Sequence, residues 1–593
     1  MKRTSGLVLS LFLVWGTAGC DSDPTGSDMA LLDECTPELS LPSLGVGEGM
    51  SITGSALQLL CLSPDESAVS EYVLVLHAAT GAPADTVRLD LRSQGLRPPG
   101  QEPGLLASAT PTTPTPSLLP AHGSASHDHG PAALPHPDHE HHLELRRTEA
   151  RELAARVRLG TPAAGPAPMA RASSLPEVDE LLRFNARSRS PACQDPIYRT
   201  GRVEAVSSQA IVVADTLNPA DGFTRSDYQG FAAAFDTLVA PLTDDAFGAP
   251  SDIDGNGRVI LFFTQEVNRL TEADSDTFIG GFFFARDLFP TEDTERLQAC
   301  PHSNEAEILY LQVPDPSGTI GGNVRSVDFV RRVILATLAH EQQHLVNAAR
   351  RLHVVRSPEP FEAVWLNEGL SHMAEELLFY RASGLSPGQD LDVPRLQQVG
   401  SRAIDAINRH QLANAQRLRT YIEGPHSSSP YSDQDLLATR GAAWHFLRYV
   451  ADRRGGDQEA LFRQLVDAPR TGLDNLGAAL GGSSTLHTWL SDWSVAVYAD
   501  SRVPGLPDRY RDRSWNHVSI FRTLDQQNGE ADPPFPLAVT TLPDAGERTR
   551  SVAGGGSAYL RFALDPGAHG ELQVAEGAAP LPSSLRGVLL RIR

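Results

Sequence analysis

Leu338-Ala339-His340-Glu341-Gln342-Gln343-His344-Leu345-Val346 sets two histidines four residues apart, with a glutamate directly after the first. Around this run, Phe329, Val333, Leu335, Ala336, Ala339 and Val346 recur at helical spacings with no Pro or Gly between them. Ser326 or Asp328 is placed to cap the start. Residues four apart in a helix lie one turn apart on one face, so both imidazoles can reach a single ion. Neutral imidazole nitrogen suits zinc, bonding at about 2.0–2.1 Å. An unliganded pair of histidines on an apolar helix strip would be costly to bury, which argues against an incidental pair.

A catalytic zinc takes three protein ligands and one water. Downstream, Phe361-Glu362-Ala363-Val364-Trp365-Leu366-Asn367-Glu368-Gly369-Leu370-Ser371-His372-Met373-Ala374-Glu375-Glu376 predicts a second helix. Pro358 and Pro360 let the chain reverse between the two. Glu368 is the expected third ligand, joining His340 and His344. Glu341 is the expected general base, acting on water rather than on the metal. Glu362, Glu375 and Glu376 lie too far along the helix axis to share the ion. The small Gly369 allows a close helix approach.

The two runs together resemble the gluzincins, zinc peptidases with two His and one Glu ligand. Trp365-Leu366-Asn367-Glu368-Gly369-Leu370-Ser371 is most similar to the hyicolysin-type neutral metallopeptidases and their bacterial relatives. The resemblance spans residues 190–520. It takes in the segment from Asp252 to Phe263, Ser303-Asn304-Glu305-Ala306-Glu307-Ile308-Leu309-Tyr310, and Asp492-Trp493-Ser494-Val495-Ala496-Val497-Tyr498-Ala499-Asp500. It implies an α+β, thermolysin-like catalytic domain: a mixed sheet packed on the active-site helix, then a helical subdomain. The sequence departs from the family in two places. Where the family has an Asp one turn after the Glu ligand, supporting a zinc histidine, this chain has His372. His372, Glu375 and Asn367 are the candidates for supporting the ligands from behind. Where relatives have a Tyr before a Gly-Ala helix start, this chain has Arg440 before Gly441-Ala442. The group that stabilises the transition state is therefore left between Arg440 and Tyr431, among others. No Gly-x-Met-Glu-Asn run, the grip of related aminopeptidases on a free N-terminus, is present, which favours an endopeptidase acting on protein or peptide substrates.

Around residues 190–520 the strands come first and the helices later, an α+β order. Gly201–Val206, Ala210–Ala214, Val259–Phe263 and Glu307–Val313 read as strands, Ser226–Ala240 as a helix that Pro241 would end. Asp252, Asp254 and Asn256 alternate within a Gly-containing turn. A Ca²⁺ loop is one reading of it and a plain Asp/Asn/Gly turn the other. Residues 33–97 and 535–593 read as two small all-β domains, one at each end of the chain. Residues 98–143 read as a disordered Pro- and His-rich linker, whose His122, His127, His129, His136, His139, His141 and His142 are either a metal-gathering tether or a solvated spacer. Residues 144–189 look helical and charged, then Ala- and Pro-rich, then helical again. A removable pro-segment and a brace are both open readings.

The N-terminus reads as an export signal: Lys2 and Arg3, an apolar stretch from Leu7 to Trp15, then small residues before Cys20. Residues 1–19 resemble a bacterial lipoprotein signal, with Thr17 where Leu is usual. Cys20 would then carry the lipid, and residues 20–32 would be a tether to the membrane of a bacterial cell envelope. The remaining Cys35, Cys61, Cys193 and Cys300 are even in number, and the exported setting favours two disulfides. Cys35–Cys61 and Cys193–Cys300 each fall within one proposed domain. Formal net charge is −23, which argues against a nucleic-acid partner; the basic residues are almost all Arg, with Lys2 the only lysine. Two further readings stay open: a peptidase fold kept without activity, as a binding or adhesion lipoprotein, and a metal carrier built on the histidine tract.

Overall fold

The computed structural model describes residues 35, 40–63, 67–81, 85–100, 118, 137–158, 175–273, 275, 278–543, 545–577 and 579–593. The export segment, Cys20 and residues 21–32 lie outside them. So do His122, His127, His129 and His136. In chain order the strands are β1 (Gly49–Thr53), β2 (Leu59–Leu62), β3 (Ser70–Ala78), β4 (Thr86–Gln94), β5 (Leu181–Asn185), β6 (Tyr198–Val206), β7 (Ala210–Asp215), β8 (Val259–Phe263), β9 (Gly281–Phe283), β10 (Ile308–Leu311), β11 (Thr540–Thr541), β12 (Gly546–Ala553), β13 (Ser557–Leu564), β14 (Gly570–Ala575) and β15 (Leu585–Arg591).

The two end domains expected from the sequence are one body. One sheet runs β1-β15-β3-β13-β11 and the other β12-β4-β14-β2, so strands from both ends of the chain interleave in each. Val75 of β3 faces Tyr559 on one side and Val588 on the other. Local alternation marks a strand and its apolar face but carries no record of its partner, which is why the ends looked separate. Leu74, Leu76, Leu89, Leu91, Leu560, Leu572 and Leu589 fill the space between the sheets. The opposite face of β3, with Val73 and Val75, packs into the larger core of the catalytic unit. Tyr559 donates its hydroxyl to the Ser494 carbonyl at 2.9 Å, pinning the sandwich to the helix Ser483–Ala499.

The second unit is α+β. Its six-stranded sheet has the order β5-β6-β7-β8-β10-β9. β7, β8 and β10 are parallel, β6 at one side and β9 at the other run against them, and β5 pairs antiparallel with β6. β8 is Val-Ile-Leu-Phe-Phe and buried throughout, as a parallel strand covered on both faces must be. β9 forms the edge nearest the helix that carries His340 and His344. The sheet begins earlier than the sequence suggested. Residues 181–185, read as helical, form β5, because β6 offers them a full antiparallel partner from Leu181↔Arg202 to Asn185↔Tyr198.

Two other expectations are corrected. The helix from Arg225 does not stop at Pro241; a wider turn, Phe235–Val239, leads into Ala240–Phe247. Pro241 sits in the first turn of that last piece, where its missing N–H costs nothing. The linker ends before residue 143. Residues 137–148 form a helix continued as tighter and wider turns to Arg156, and Leu143, Leu145, Leu153 and Val157 of this segment are buried. His141 and His142 therefore belong to folded structure. Cys35 is bonded to Cys61 and Cys193 to Cys300. Among the described residues, no helix is long and apolar enough to cross a membrane.

Candidate metal centre

The helix that carries His340 and His344 is Val327–Ala349. Ser326 caps it, its hydroxyl accepting from the Phe329 N–H at 3.1 Å, and Asp328 lies in the first turn, where the helix dipole favours an acid. The half that carries His340 and His344 is buried. A second helix, Val364–Ser383, packs against it and ends at Gly384 in the left-handed conformation. A third, Leu437–Arg454, crosses the second at Gly369, where a Cβ would sit 2.9 Å from the Leu447 side chain and 3.3 Å from that of Ala443. At Gly441 the third helix meets the helix Leu412–Ile422 still more closely, since a Cβ there would lie 2.2 Å from the Arg417 backbone. These two glycines bring Arg440 and Arg417 to the ligands.

Three donor groups converge at the centre of this bundle. His340 Nε2 and His344 Nε2 are 3.1 Å apart. His340 Nε2 is 3.4 Å from Glu368 Oε2, and His344 Nε2 is 3.4 Å from Glu368 Oε1. Two atoms bound tetrahedrally to zinc at about 2.0–2.1 Å lie about 3.3 Å apart, so this triangle has the dimensions of a zinc site. The outer ring atoms are held as well. His340 Nδ1 is 2.8 Å from Glu375 Oε1. His344 Nδ1 is 3.1 Å from Asn367 Oδ1 and 3.0 Å from Ser371 Oγ. Protons on both Nδ1 atoms satisfy these acceptors and turn both Nε2 lone pairs inward.

Glu368 is fully buried, and neither of its oxygens receives a well-aligned hydrogen bond. A carboxylate left so would be expensive, and its free lone pairs face the two Nε2 atoms, which is what a cation would occupy. Burial would raise its pKa, but the Arg440 guanidinium and the His344 and His340 rings outweigh burial and hold it well below the usual carboxylate range. Arg440 Nη1 is 3.0 Å from Glu368 Oε2. The same guanidinium grips Asp435 through Nε at 2.7 Å and Nη2 at 2.6 Å. Glu341 points elsewhere: its Oε2 accepts from the Phe283 N–H of β9 at 2.8 Å.

No family model matches the chain. Over 249 residues it is 31% identical to the neutral metalloprotease ShpI of Staphylococcus hyicus, a stretch that covers 42% of this chain and 46% of that protein. The chain is a relative of a neutral metalloprotease. It spans about half the length of the relative it matches.

His372 does not support a ligand histidine directly. Its Nδ1 is 3.1 Å from Glu375 Oε1, its Nε2 is buried without a partner, and its ring lies 4.7 Å from that of His340. Glu375 stands between the two rings, with Arg417 Nη1 3.4 Å from its other oxygen. Glu362 and Glu376 serve the scaffold. Glu362 accepts from Gly472 N and Asn475 Nδ2, and Glu376 pairs with Arg448 and Trp515. Tyr431, a candidate for stabilising the transition state, is spent elsewhere. Its hydroxyl donates to the Thr80 carbonyl at 2.8 Å, across the seam to the sandwich, because a buried phenol in an apolar seam needs an acceptor and the nearest is that backbone.

The Asp252–Asn256 segment also differs from expectation. The Asn256 amide is consumed within the turn, donating to Asp254 Oδ2 at 2.6 Å and accepting from Arg258 N at 2.7 Å. Glu307 from the base of β10 joins Asp252 and Asp254 instead, bonded to Ser251 and the Ile253 N–H. A second His-Asp-His group, His445, Asp512 and His517, is a hydrogen-bond network. Trp493 donates to His445 Nδ1 at 2.9 Å, so the proton on His445 Nε2 faces Asp512 at 2.7 Å and leaves no lone pair there for a metal.

The sequence did not mark Asp435, Arg417 or Ser371 as parts of the site, nor Arg146 and Glu149, which lie beside it. Ser371 falls three residues after Glu368, a spacing that could have been read. The others arrive from distant segments, and no local signal announces them.

Proposed function

We propose that the protein is a zinc-dependent endopeptidase on a thermolysin-like plan, with His340, His344 and Glu368 as metal ligands and Glu341 as general base. The observation that carries this reading is the triangle of donor atoms with edges of 3.1, 3.4 and 3.4 Å, closed by a buried carboxylate that turns an oxygen to each imidazole. The relationship to a neutral metalloprotease supports it. Zinc, when bound, supplies Lewis-acid chemistry: it acidifies water and polarises a carbonyl. Glu341 takes the proton from the attacking water on a carboxylate oxygen and hands it to the departing amine nitrogen. Glu375 and Asn367 fix the tautomers of His340 and His344. Arg440, anchored by Asp435, fixes Glu368; that double engagement favours a ligand-holding role over contact with a substrate oxygen. A peptide substrate would lie along β9, whose backbone beside Glu341 suits a chain running through rather than a gripped end. The export-like N-terminus and the two disulfides support an extracytoplasmic setting, with a lipid on Cys20 as the anchor.

The test is Glu341→Gln. It is expected to abolish hydrolysis of an unfolded protein such as casein while keeping one zinc per chain by metal analysis. Loss of zinc in that variant would mean that ligand and base have been confused.

A further inference from the structure

β9 is an edge strand, and its hydrogen-bond register shows which groups face outward. Gln312 N donates to Gly280 O at 3.0 Å, so Gly280 turns toward β10. Alternate residues of an antiparallel pair turn the other way, so Phe283, and Ala285 beyond it, present their backbone groups to the open side. A bare edge of this kind recruits an extended peptide. Here it is already taken. The Phe283 carbonyl accepts from Arg146 Nη2 at 2.9 Å, and the Ala285 N–H donates to Glu149 Oε1 at 3.0 Å. The Phe283 N–H goes to Glu341. Arg146 and Glu149 also pair with each other at 2.8 Å, with both side chains at most 4% exposed.

The rest of the segment 137–158 is fastened over the same cleft. His141 sets its ring edge-on to Phe282, at 5.8 Å between centroids. The His142 ring is half-buried, and the charges of Arg440, Glu368 and His340 act on it. Glu152 accepts from the Ala192 N–H at 2.9 Å, and Arg158 N donates to the Arg296 carbonyl at 2.8 Å. Leu145, Leu153 and Val157 enter the main core. Beneath this cover Glu341 is 2% exposed and His340 6%. No polypeptide substrate can reach a base so enclosed, although the proposed reaction requires it.

We infer that residues 137–158 are an intramolecular strap seated on the substrate-binding edge of the enzyme, and that the covalently intact chain is latent until this strap is displaced. The inference rests on the peptidase reading above. It is reversible in principle, since the strap uses side chains, Arg146 and Glu149, where a substrate would use its own backbone. The occupant of the edge is this chain itself, and the competing occupant is an extended peptide.

The experiment uses the full chain, zinc-loaded, in three forms: intact; carrying Arg146→Ala with Glu149→Ala, so that neither member of the buried pair is left alone; and carrying recognition sites for a highly specific protease within residues 119–136 and 159–174, cut with all pieces kept together. Two quantities are read for each: hydrolysis of an internally quenched peptide, and the rate at which a phenanthroline chelator strips the zinc. The expected result is hydrolysis at least about tenfold faster in the altered forms than in the intact chain, as removal of a closed-state bias predicts. Stripping should accelerate in parallel, and a synthetic peptide of residues 137–158 should inhibit the cut form competitively. Equal hydrolysis and equal stripping in all three forms would overturn the strap while leaving the peptidase standing. Accelerated stripping with no hydrolysis in any form would uphold the strap as a cover and overturn the peptidase reading. Should the double variant fail to retain zinc, the cut form decides by the same two readings.

Discussion

Replacing Glu375 by Ala removes the acceptor of the His340 Nδ1 proton while leaving all three proposed ligands in place. The lost contact is short, 2.8 Å, buried and charge-assisted. Hydrogen bonds to charged groups are worth about 1.5–3 kcal/mol, and about 1.4 kcal/mol is a factor of ten, so zinc affinity should fall about 10- to 100-fold. Nothing larger is expected from the other partners. The Arg417 side chain is 23% exposed and can turn to water, and His372 is left neutral. Glu375→Gln keeps an acceptor for the same proton and should lose less. Glu368→Ala removes a ligand and should leave the protein without stoichiometric zinc. The assay is competition against a chromogenic chelator at fixed pH, with circular dichroism to check folding. Affinity unchanged in Glu375→Ala, or abolished as completely as in Glu368→Ala, would refute the division between ligand and support drawn from the geometry.

Zinc binding should depend on pH through His340. Burial lowers its pKa, but Glu368 and Glu375 outweigh burial and raise it from 6.5 to about 9 in the metal-free protein. The stability this gives the metal-free fold is full below pH 6.5 and is lost as pH rises through 9. Zinc must displace the same proton, so its affinity should rise about tenfold per pH unit from 7 toward 9; a flat profile by competition titration would count against it. Arg440→Met should destabilise the zinc-free protein by about 3–5 kcal/mol, because Glu368 and Asp435 lose the cation between them. Added zinc should restore part of that by neutralising Glu368, and coincident denaturant midpoints for the two zinc-free proteins would exclude the role given to Arg440. Tyr431→Phe should cost about 1 kcal/mol at the seam with Thr80 and leave kcat within about twofold; a large fall in kcat would return Tyr431 to the reaction.

The sequence spoke most clearly where one helix does all the work. His340 and His344 owe their meeting to a spacing of four, so the 3.1 Å between their Nε2 atoms follows from positions read along the chain, and helical phase alone sets Glu375 apart from Glu368. Disulfide pairing was legible because each pair is local to one folded unit. Contacts between segments were not. Val75 pairs with residues 559 and 588, and nothing in Tyr72-Val73-Leu74-Val75-Leu76 distinguishes those partners from any other alternating strand. Arg146 and Glu149 sit in a charged stretch whose place, as pro-segment or brace, the sequence left open, and their ion pair and the backbone of β9 make burial tolerable. The partner of the Tyr431 hydroxyl was hidden for a related reason. A tyrosine near the right helix start was matched by position, but the direction of its side chain is set by the sandwich, which the local sequence does not describe.

Interleaving of the two chain ends also sets a clock on synthesis. β3 and β4 emerge early, yet both neighbours of each are strands among β12 to β15. At about 5–20 residues per second, the 451 residues between Gln94 and Gly546 take roughly 20–90 s to make. For that interval the early strands have no mates, and the apolar row from Tyr72 to Leu76 must be kept from strangers. A ribosome that stalls before β12 leaves a polypeptide whose active-site helices are all present but whose first sheet can never shut. Such a product would be open to proteolysis at its unpaired strands.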